Sequence, residues 1–343
     1  MAKAVKLADI AEKVNVSTVT VSKALSNQKG VSEELRARIK ELADEMGYKQ
    51  PSALRKERAQ KSYNIGIIIS EVFLGKYDSF YWQMYQMVTT KASAKGCFTL
   101  LEVITNEAAE TNQIPMLLQE QKVDGLIVIG RQRERYLQNL EKNSNVPMVY
   151  LDFCNENEDC DAIISDSYYG AYKLTNYLFE MGHRKIAYVG TLKATGSITD
   201  RYFGYCKSML EHGFTVHDDW VIPDRDPSND QIDPENLMQL PEDMPTAFVC
   251  NCDLCANELI HKLEGLGYRV PEDISVVGYD NYLFPGLSDI AITTYEVDLK
   301  EMARRGVNIL IKKMNGDPYH KGISIVEGHL VVKDSVKNLN KIK

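Results

Sequence analysis

The side chains best placed for chemistry stand near the start of the chain, where Ser17, Thr18, Thr20, Ser22 and Lys23 follow one another closely. Short hydroxyls and a cation at this density suit contacts to base edges and phosphates, because they enter a major groove without blocking it. Other clusters invite a chemical reading and then lose it. Cys250-x-Cys252-x-x-Cys255 has the softness for zinc or an iron–sulfur centre, but no second closely spaced pair supplies a fourth ligand. A thiol-sensing role is no better founded. Gly190 and Gly196-Ser197 lie too far apart for a phosphate loop, and no lysine follows them. No Gly-x-Gly-x-x-Gly follows a strand-like run. His183 falls in a helix-to-strand turn and reads as structural, and nothing gathers a nucleophile, a base and an orienting group. The expectation is a binding protein, not an enzyme, with no cofactor and no metal.

The hydroxyl cluster needs an element to present it. Leu7, Ile10, Ala11 and Val14 keep helical spacing, Asn15-Val16-Ser17 interrupts it, and Val19, Val21, Ala24 and Leu25 resume it. Two short helices with a tight turn follow: Asn15 suits the left-handed residue closing the first, and Ser17 suits the N-cap of the second. Val21, Ala24 and Leu25 then face inward. A third helix opens at Ser32, gains from Glu33 and Glu34 near its positive end, runs through Leu35, Ile39, Leu42 and Met46, and stops at Gly47. Three such helices form a helix-turn-helix unit. A small bundle for protein contact has the same apolar pattern, but the charge favours a polyanion. Residues 1–62 hold 13 Lys and Arg against 8 Asp and Glu, whereas the remainder holds 27 against 40.

From Ser62 onward the pattern changes. Short β-rich runs alternate with helical stretches: 65–69, helix 79–95, 99–103, helix 107–121, 125–129, helix 133–142 and 147–151. A second series follows Ile163-Ile164: helix 168–181, strand 185–189, helix 199–212, strand 246–249, helix 254–265 and strand 275–277. This alternation predicts two doubly wound lobes whose strand ends face a shared cleft. A chain of 343 residues, 44% hydrophobic, is long enough for this core and is neither disordered nor fibrous. No apolar run reaches membrane-spanning length and Met1–Lys6 lacks a signal-peptide core, so no membrane is expected and the cytoplasm is the default compartment. Seven cysteines, an odd number, read as reduced thiols.

Leu7-Ala8-Asp9-Ile10-Ala11, Val16 through Leu25, Val31-Ser32 and Gly47-Tyr48 together resemble the headpiece of the lactose-repressor (LacI/GalR) family in both order and spacing. The likeness continues through Gly182-His183-Arg184 with Ile186-Ala187, Ser197 with Arg201-Tyr202-Phe203-Gly204, and the run from Val270 to Asp280, which are similar to that family's effector domain. The resemblance implies an α/β protein: an N-terminal three-helix helix-turn-helix headpiece followed by a bilobed, doubly wound, periplasmic-binding-protein-like effector domain. It implies that Thr18 and Val19 contact bases, that Lys23 replaces a usual arginine, and that Ser17, Ser22 and Ser26 meet phosphates. Lys6 stands where a capping threonine is usual, leaving Asp9 or solvent to cap the first helix. In the linker, Glu57 or Arg58 occupies the position of a minor-groove leucine wedge, while Arg55 and Lys56 are placed to grip phosphate.

In the body, the resemblance makes Arg201 and Asp280 ligand-binding positions, with Ser197 and Asp152 joining them. Charged groups that each engage two hydroxyls, with an aromatic plate against a ring, suit a polyol. Phe80-Tyr81-Trp82 supplies the plate, from Phe80 or Tyr81, and Trp220 reads as packing. Cys252-Asp253 aligns with a usual Asn-Asp pair, so a cysteine replaces a ligand-contacting amide unless Asn251 serves through a bulge. The expected organisation is headpiece 1–49, hinge 50–62 and effector domain 63–343, with one lobe from 63–163 and 297–322 and the other from 164–296 and 323–343. The implied function is a homodimeric repressor of a pseudo-palindromic operator, controlled by a carbohydrate effector. A cytosolic sugar-binding module with impaired DNA binding is the alternative.

Overall fold

The computed structural model describes residues 5–48, 62–74, 80–155, 160–226, 231–283 and 286–341. The chain divides into two units, Met1–Ser62 and Tyr63–Lys343. Arg55, Lys56, Glu57 and Arg58, with the rest of the expected hinge up to residue 61, lie outside the described residues.

In the first unit, helices α1 (Leu7–Val14), α2 (Thr18–Leu25) and α3 (Glu33–Glu45) close around Ile10, Val21, Ala24 and Ile39, all fully buried. Lys6 offers no hydroxyl cap, and the Asp9 carboxylate instead accepts from the Lys6 backbone N–H at 2.7 Å. Asn15 takes φ 56° to end α1, Ser17 Oγ accepts from the Thr20 N–H at 3.1 Å, and Ser32 Oγ accepts from the Leu35 N–H. Each cap satisfies a donor that a helix end leaves unpaired. Arg36 on α3 ties the turn after α2 in place by donating to the carbonyls of Ala24 and Gln28.

The second unit holds two parallel sheets. The strands of the first are β1 (Asn64–Ser70), β2 (Phe98–Ile104), β3 (Gly125–Ile129), β4 (Met148–Leu151), β5 (Ala162–Ser165) and β11 (Ile323–Val326), ordered β11-β5-β4-β3-β1-β2. The second contains β6 (Ile186–Val189), β7 (Val221–Ile222), β8 (Ala247–Cys250) and β9 (Ser275–Val277), ordered β7-β6-β8-β9. β10 (Thr294–Glu296) and β12 (His329–Val331) pair antiparallel beside them. Central strands are buried on both faces, as in β3 where every residue is buried, which is why they read as unbroken apolar runs. The helices are α4 (Phe80–Ser93), α5 (Asn106–Glu110), α6 (Met116–Gln119), α7 (Glu134–Asn143), α8 (Ser167–Glu180), α9 (Gly196–Glu211), α10 (Asp253–Gly265) and α11 (Leu299–Asn315). None is long and apolar enough to cross a membrane.

Two expectations are corrected. The helix expected over 107–121 is broken into α5 and α6: Asn112 takes φ 55°, Pro115 precedes α6, and the Glu102 carboxylate accepts the Met116 and Leu117 N–H groups at 2.8 and 2.9 Å. A carboxylate from β2, fourteen residues earlier, thus starts a new helix that periodicity alone runs together. Ile323–Val326, expected in the second lobe, is β11 and pairs parallel with β5 in the first lobe's sheet. It is an edge strand with only Val326 buried, so its apolar pattern does not reveal its partner.

At the α8–α9 crossing the backbones touch. A Cβ at Gly204 would fall 2.0 Å from the Tyr168 carbonyl oxygen, so only glycine lets α9 lie there.

Candidate functional site

In the first unit α2 presents Ser17, Thr18, Val19, Ser22, Lys23 and Ser26 to solvent, and Val19 is 61% exposed although Val21 beside it is fully buried. An exposed valine amid hydroxyls fits an apolar contact such as a thymine methyl. Thr20 is half-buried, and its hydroxyl lies 2.9 Å from Ser17 Oγ. Ser26 Oγ donates to the Ser22 carbonyl at 2.5 Å. The sequence-predicted headpiece residues therefore share one surface, apart from Thr20, which is partly turned to the cap.

In the second unit the polar residues collect where strands end. Asp152 follows β4 and Asp280 follows β9 through a short turn, and both take positive φ, 66° and 100°. Non-glycine residues seldom adopt that region, and Asp and Asn are among those that do so most readily. Arg201, in α9, lies between them. Its Nη1 donates to the Asn251 carbonyl at 2.5 Å, its Nη2 donates to Asp280 Oδ1 at 3.3 Å, and its guanidinium stands 3.8 Å over the Tyr279 ring. Its Nε is buried with no hydrogen-bond partner among the described residues. Burial pushes the Asp152 carboxyl up to about 6, while the Arg201 charge and the Tyr81 hydroxyl, which donates at 3.0 Å, pull it back. Burial likewise pushes Asp280 up to about 7 against Arg201, with Asp152 adding to the rise. Arg201 keeps its charge: burial works against it, but Asp280 and Asp152 outweigh burial.

A cavity of about 390 Å³ opens here. Tyr81, Asp152 and Ser197 line it, as expected from sequence. Phe80 does not: it packs edge-on against Tyr81, with ring centroids 5.3 Å apart, and joins the core. Arg201 and Asp280 do not form the cavity wall either, though Arg201 acts electrostatically on Asp152. Cys252 is set aside from it as well. Its Sγ caps α10, accepting from the Cys255 N–H at 3.4 Å, and burial pushes the thiol up to about 12. Asp253 also lies apart from this cavity: its Oδ2 accepts from the Tyr282 N–H at 2.9 Å and it lines a different depression, with Asn281 and Lys333. Asn251 gives no free amide, because its Nδ2 donates to Val189 O and to Asp224 Oδ2. Trp220 is buried and its Nε1 donates to the Asp243 carbonyl.

Sequence reasoning missed Arg131, Lys193, Thr195, Thr199 and Asp200 on the cavity wall. Arg131 comes just after β3, and Lys193 follows β6 at φ 69°. The tendency of open sheets to bind ligands at carboxyl strand ends, applied to these two strands, points to both. Arg131 also donates to the Ala194 carbonyl, joining the first lobe to the loop that starts α9.

Comparison with known proteins fits this architecture. The family model for bacterial regulatory proteins of the lacI family matches residues 6–51, and that for a periplasmic binding protein-like domain matches residues 175–336. The chain is 28% identical over 333 residues to the HTH-type transcriptional repressor PurR of Aliivibrio salmonicida, covering 96% of this chain and 98% of that one. To the PurR repressor of Actinobacillus pleuropneumoniae it is 29% identical over 346 residues, covering 97% and 98%. Among solved structures, the transcriptional regulator CelR in complex with cellobiose superposes with a TM-score of 0.67 at 21% identity, covering 96% of this chain and 99% of that one. The lac repressor dimer bound to operator and the anti-inducer ONPF gives 0.65 at 22% identity, covering 98% and 100%. The chain thus carries a lacI-family helix-turn-helix domain followed by a periplasmic binding protein-like domain, an architecture similar over nearly its whole length to that of these repressors.

Proposed function

We propose that this DNA-binding transcriptional regulator is a repressor that acts in the cytoplasm as a homodimer on a pseudo-palindromic operator, and that a neutral carbohydrate held between its lobes sets its operator affinity. The observation that carries the effector reading is the Arg201 guanidinium, stacked on Tyr279 and paired with Asp280, acting on Asp152 at the wall of a hydroxyl-rich cavity. Fixed charged groups flanked by Ser165, Ser167, Ser197 and Thr199 suit a ligand with several hydroxyls, each able to donate and accept. The wall balances Arg131 and Lys193 against Asp152 and Asp200, which favours a neutral ligand over a strong anion. Tyr81 supplies an aromatic face.

The DNA reading is supported by the outward face of α2 and the basic excess of residues 1–62. One headpiece has too few contacts for tight specific binding, which argues for two copies on a two-fold site. Control follows if the carbohydrate binds one lobe arrangement better than another. The lobe-to-lobe bond from Arg131 to the Ala194 carbonyl is a contact such a change would make or break.

Thermal unfolding in a panel of monosaccharides and disaccharides, including ribose and cellobiose, tests the effector reading. At least one saccharide is expected to raise Tm in the wild type and to have no effect in Arg201→Ala. A panel that leaves Tm unmoved, or a shift that survives Arg201→Ala, contradicts the cleft assignment.

A further inference from the structure

Arg201 is useful only if its guanidinium is held still, and one of its anchors is a main-chain oxygen, the Asn251 carbonyl, which has no orientation of its own. What fixes that peptide is a buried polar knot behind it. Asn251 N–H and Nδ2 both donate to the Val189 carbonyl, and Nδ2 also donates to Asp224 Oδ2 at 2.7 Å. The Asn251 side-chain oxygen accepts from Arg225 Nη2 at 3.0 Å. Asp224 sits at the centre with no exposed surface. Its Oδ1 accepts from the Thr191 N–H at 2.8 Å, and its Oδ2 accepts from Arg225 Nε and Nη2 as well as from Asn251.

We propose that Asp224 is a positioning residue for effector recognition: through Asn251 it locks the carbonyl that aims Arg201. The proposal rests on the reading of Arg201 as the effector-gripping group. Asp224 itself does not line the cavity.

The chemistry of the knot requires a carboxylate. The four groups named here are donors, so an amide at 224 must point its NH₂ at one of them whichever way it turns. Such a clash leaves buried donors unpaired, and Arg225 loses the charge that balances it. Burial pushes the Asp224 carboxyl up, yet the Arg225 charge and the bonds from Arg225, Asn251 and Thr191 outweigh it and hold the group below its ordinary range. The fold therefore keeps it ionised.

The test needs no saccharide, so it stands or falls separately from the effector reading. Full-length protein carrying ¹⁵N-arginine gives an Nε–Hε signal for Arg201, assigned by its loss in Arg201→Lys. Arg184, which bonds the Phe179 carbonyl elsewhere in the lobe, serves as the reference. In the wild type the Arg201 order parameter is expected near the rigid range, about 0.85, and in Asp224→Asn below about 0.6. Asn251→Ala keeps the carbonyl but removes its side-chain tether, and the same fall is expected with the Asp224–Arg225 pair intact. If Asp224→Asn does not fold, Asn251→Ala decides the matter alone. Arg201 remaining rigid in the folded variants, or Arg184 loosening to the same degree, overturns the proposal, the second outcome marking a merely structural role.

Discussion

Asp152 and Asp280 both have carboxyls raised by burial, to about 6 and about 7, from an ordinary value of 3.8. A group whose pKa is raised by folding favours the fold while it is protonated. The contribution of each is therefore fully present below about pH 4 and is lost as pH rises through its folded value. The first prediction is that Asp152→Asn, which cannot ionise, gains stability relative to the wild type as pH rises from 4 to 7. Denaturant unfolding across that range checks it, and a stability difference that does not change with pH contradicts it. Asp152 on the cavity wall offers two charged acceptor oxygens once ionised, so saccharide affinity is expected to increase as pH rises through about 6. Titration calorimetry reads this directly, and a flat or falling profile is the contrary result. Motif likeness points to Asp152 and Ser197, which line the cavity, and to Arg201 and Asp280, which do not. Cys252 and Asp253, adjacent at the start of α10, make their contacts away from the cavity wall, which sequence spacing does not reveal.

At the scale of elements, the headpiece was read nearly whole, because its caps are local chemistry: Asn15, Ser17, Ser32 and Gly47 act within three or four residues of themselves. Ser17→Ala removes the acceptor for the Thr20 N–H and should cost about 1 kcal/mol of headpiece stability. Operator affinity is expected to weaken while the unfolding of the larger unit is unchanged; loss in both units contradicts this. The α8–α9 crossing yields another prediction. Gly204→Ala places a methyl against the Tyr168 carbonyl, so the helices must separate, at a cost of about 1–3 kcal/mol or more. Calorimetry should show a lower Tm for the second unit, and a neutral change would mean the crossing is looser than described. The break between α5 and α6 and the sheet of β11 escaped sequence reading for one reason. Both depend on partners distant in sequence, Glu102 for α6 and β5 for β11, whereas periodicity reports only local order.

For the whole molecule, the charge divides between a basic first unit, suited to a polyanion, and an acidic second unit that contains the polar cavity. Phosphate contacts release counterions, so operator affinity must fall steeply with salt. The chain passes between the two lobes three times, entering the second after β5, returning at α11 and crossing again after β11. The bilobed design was visible in the alternation of strands and helices, while the buried knot around Asp224 was not, since a lone aspartate after a two-residue strand gives no sequence signal. The most direct test is footprinting and titration of the DNA upstream of the chain's own coding region, with and without the saccharide that raises Tm. The account predicts a protected palindrome at low salt and an operator affinity that this saccharide changes by about tenfold in the wild type but not in Arg201→Ala. The absence of any protected palindrome, or an affinity indifferent to that saccharide, would contradict it.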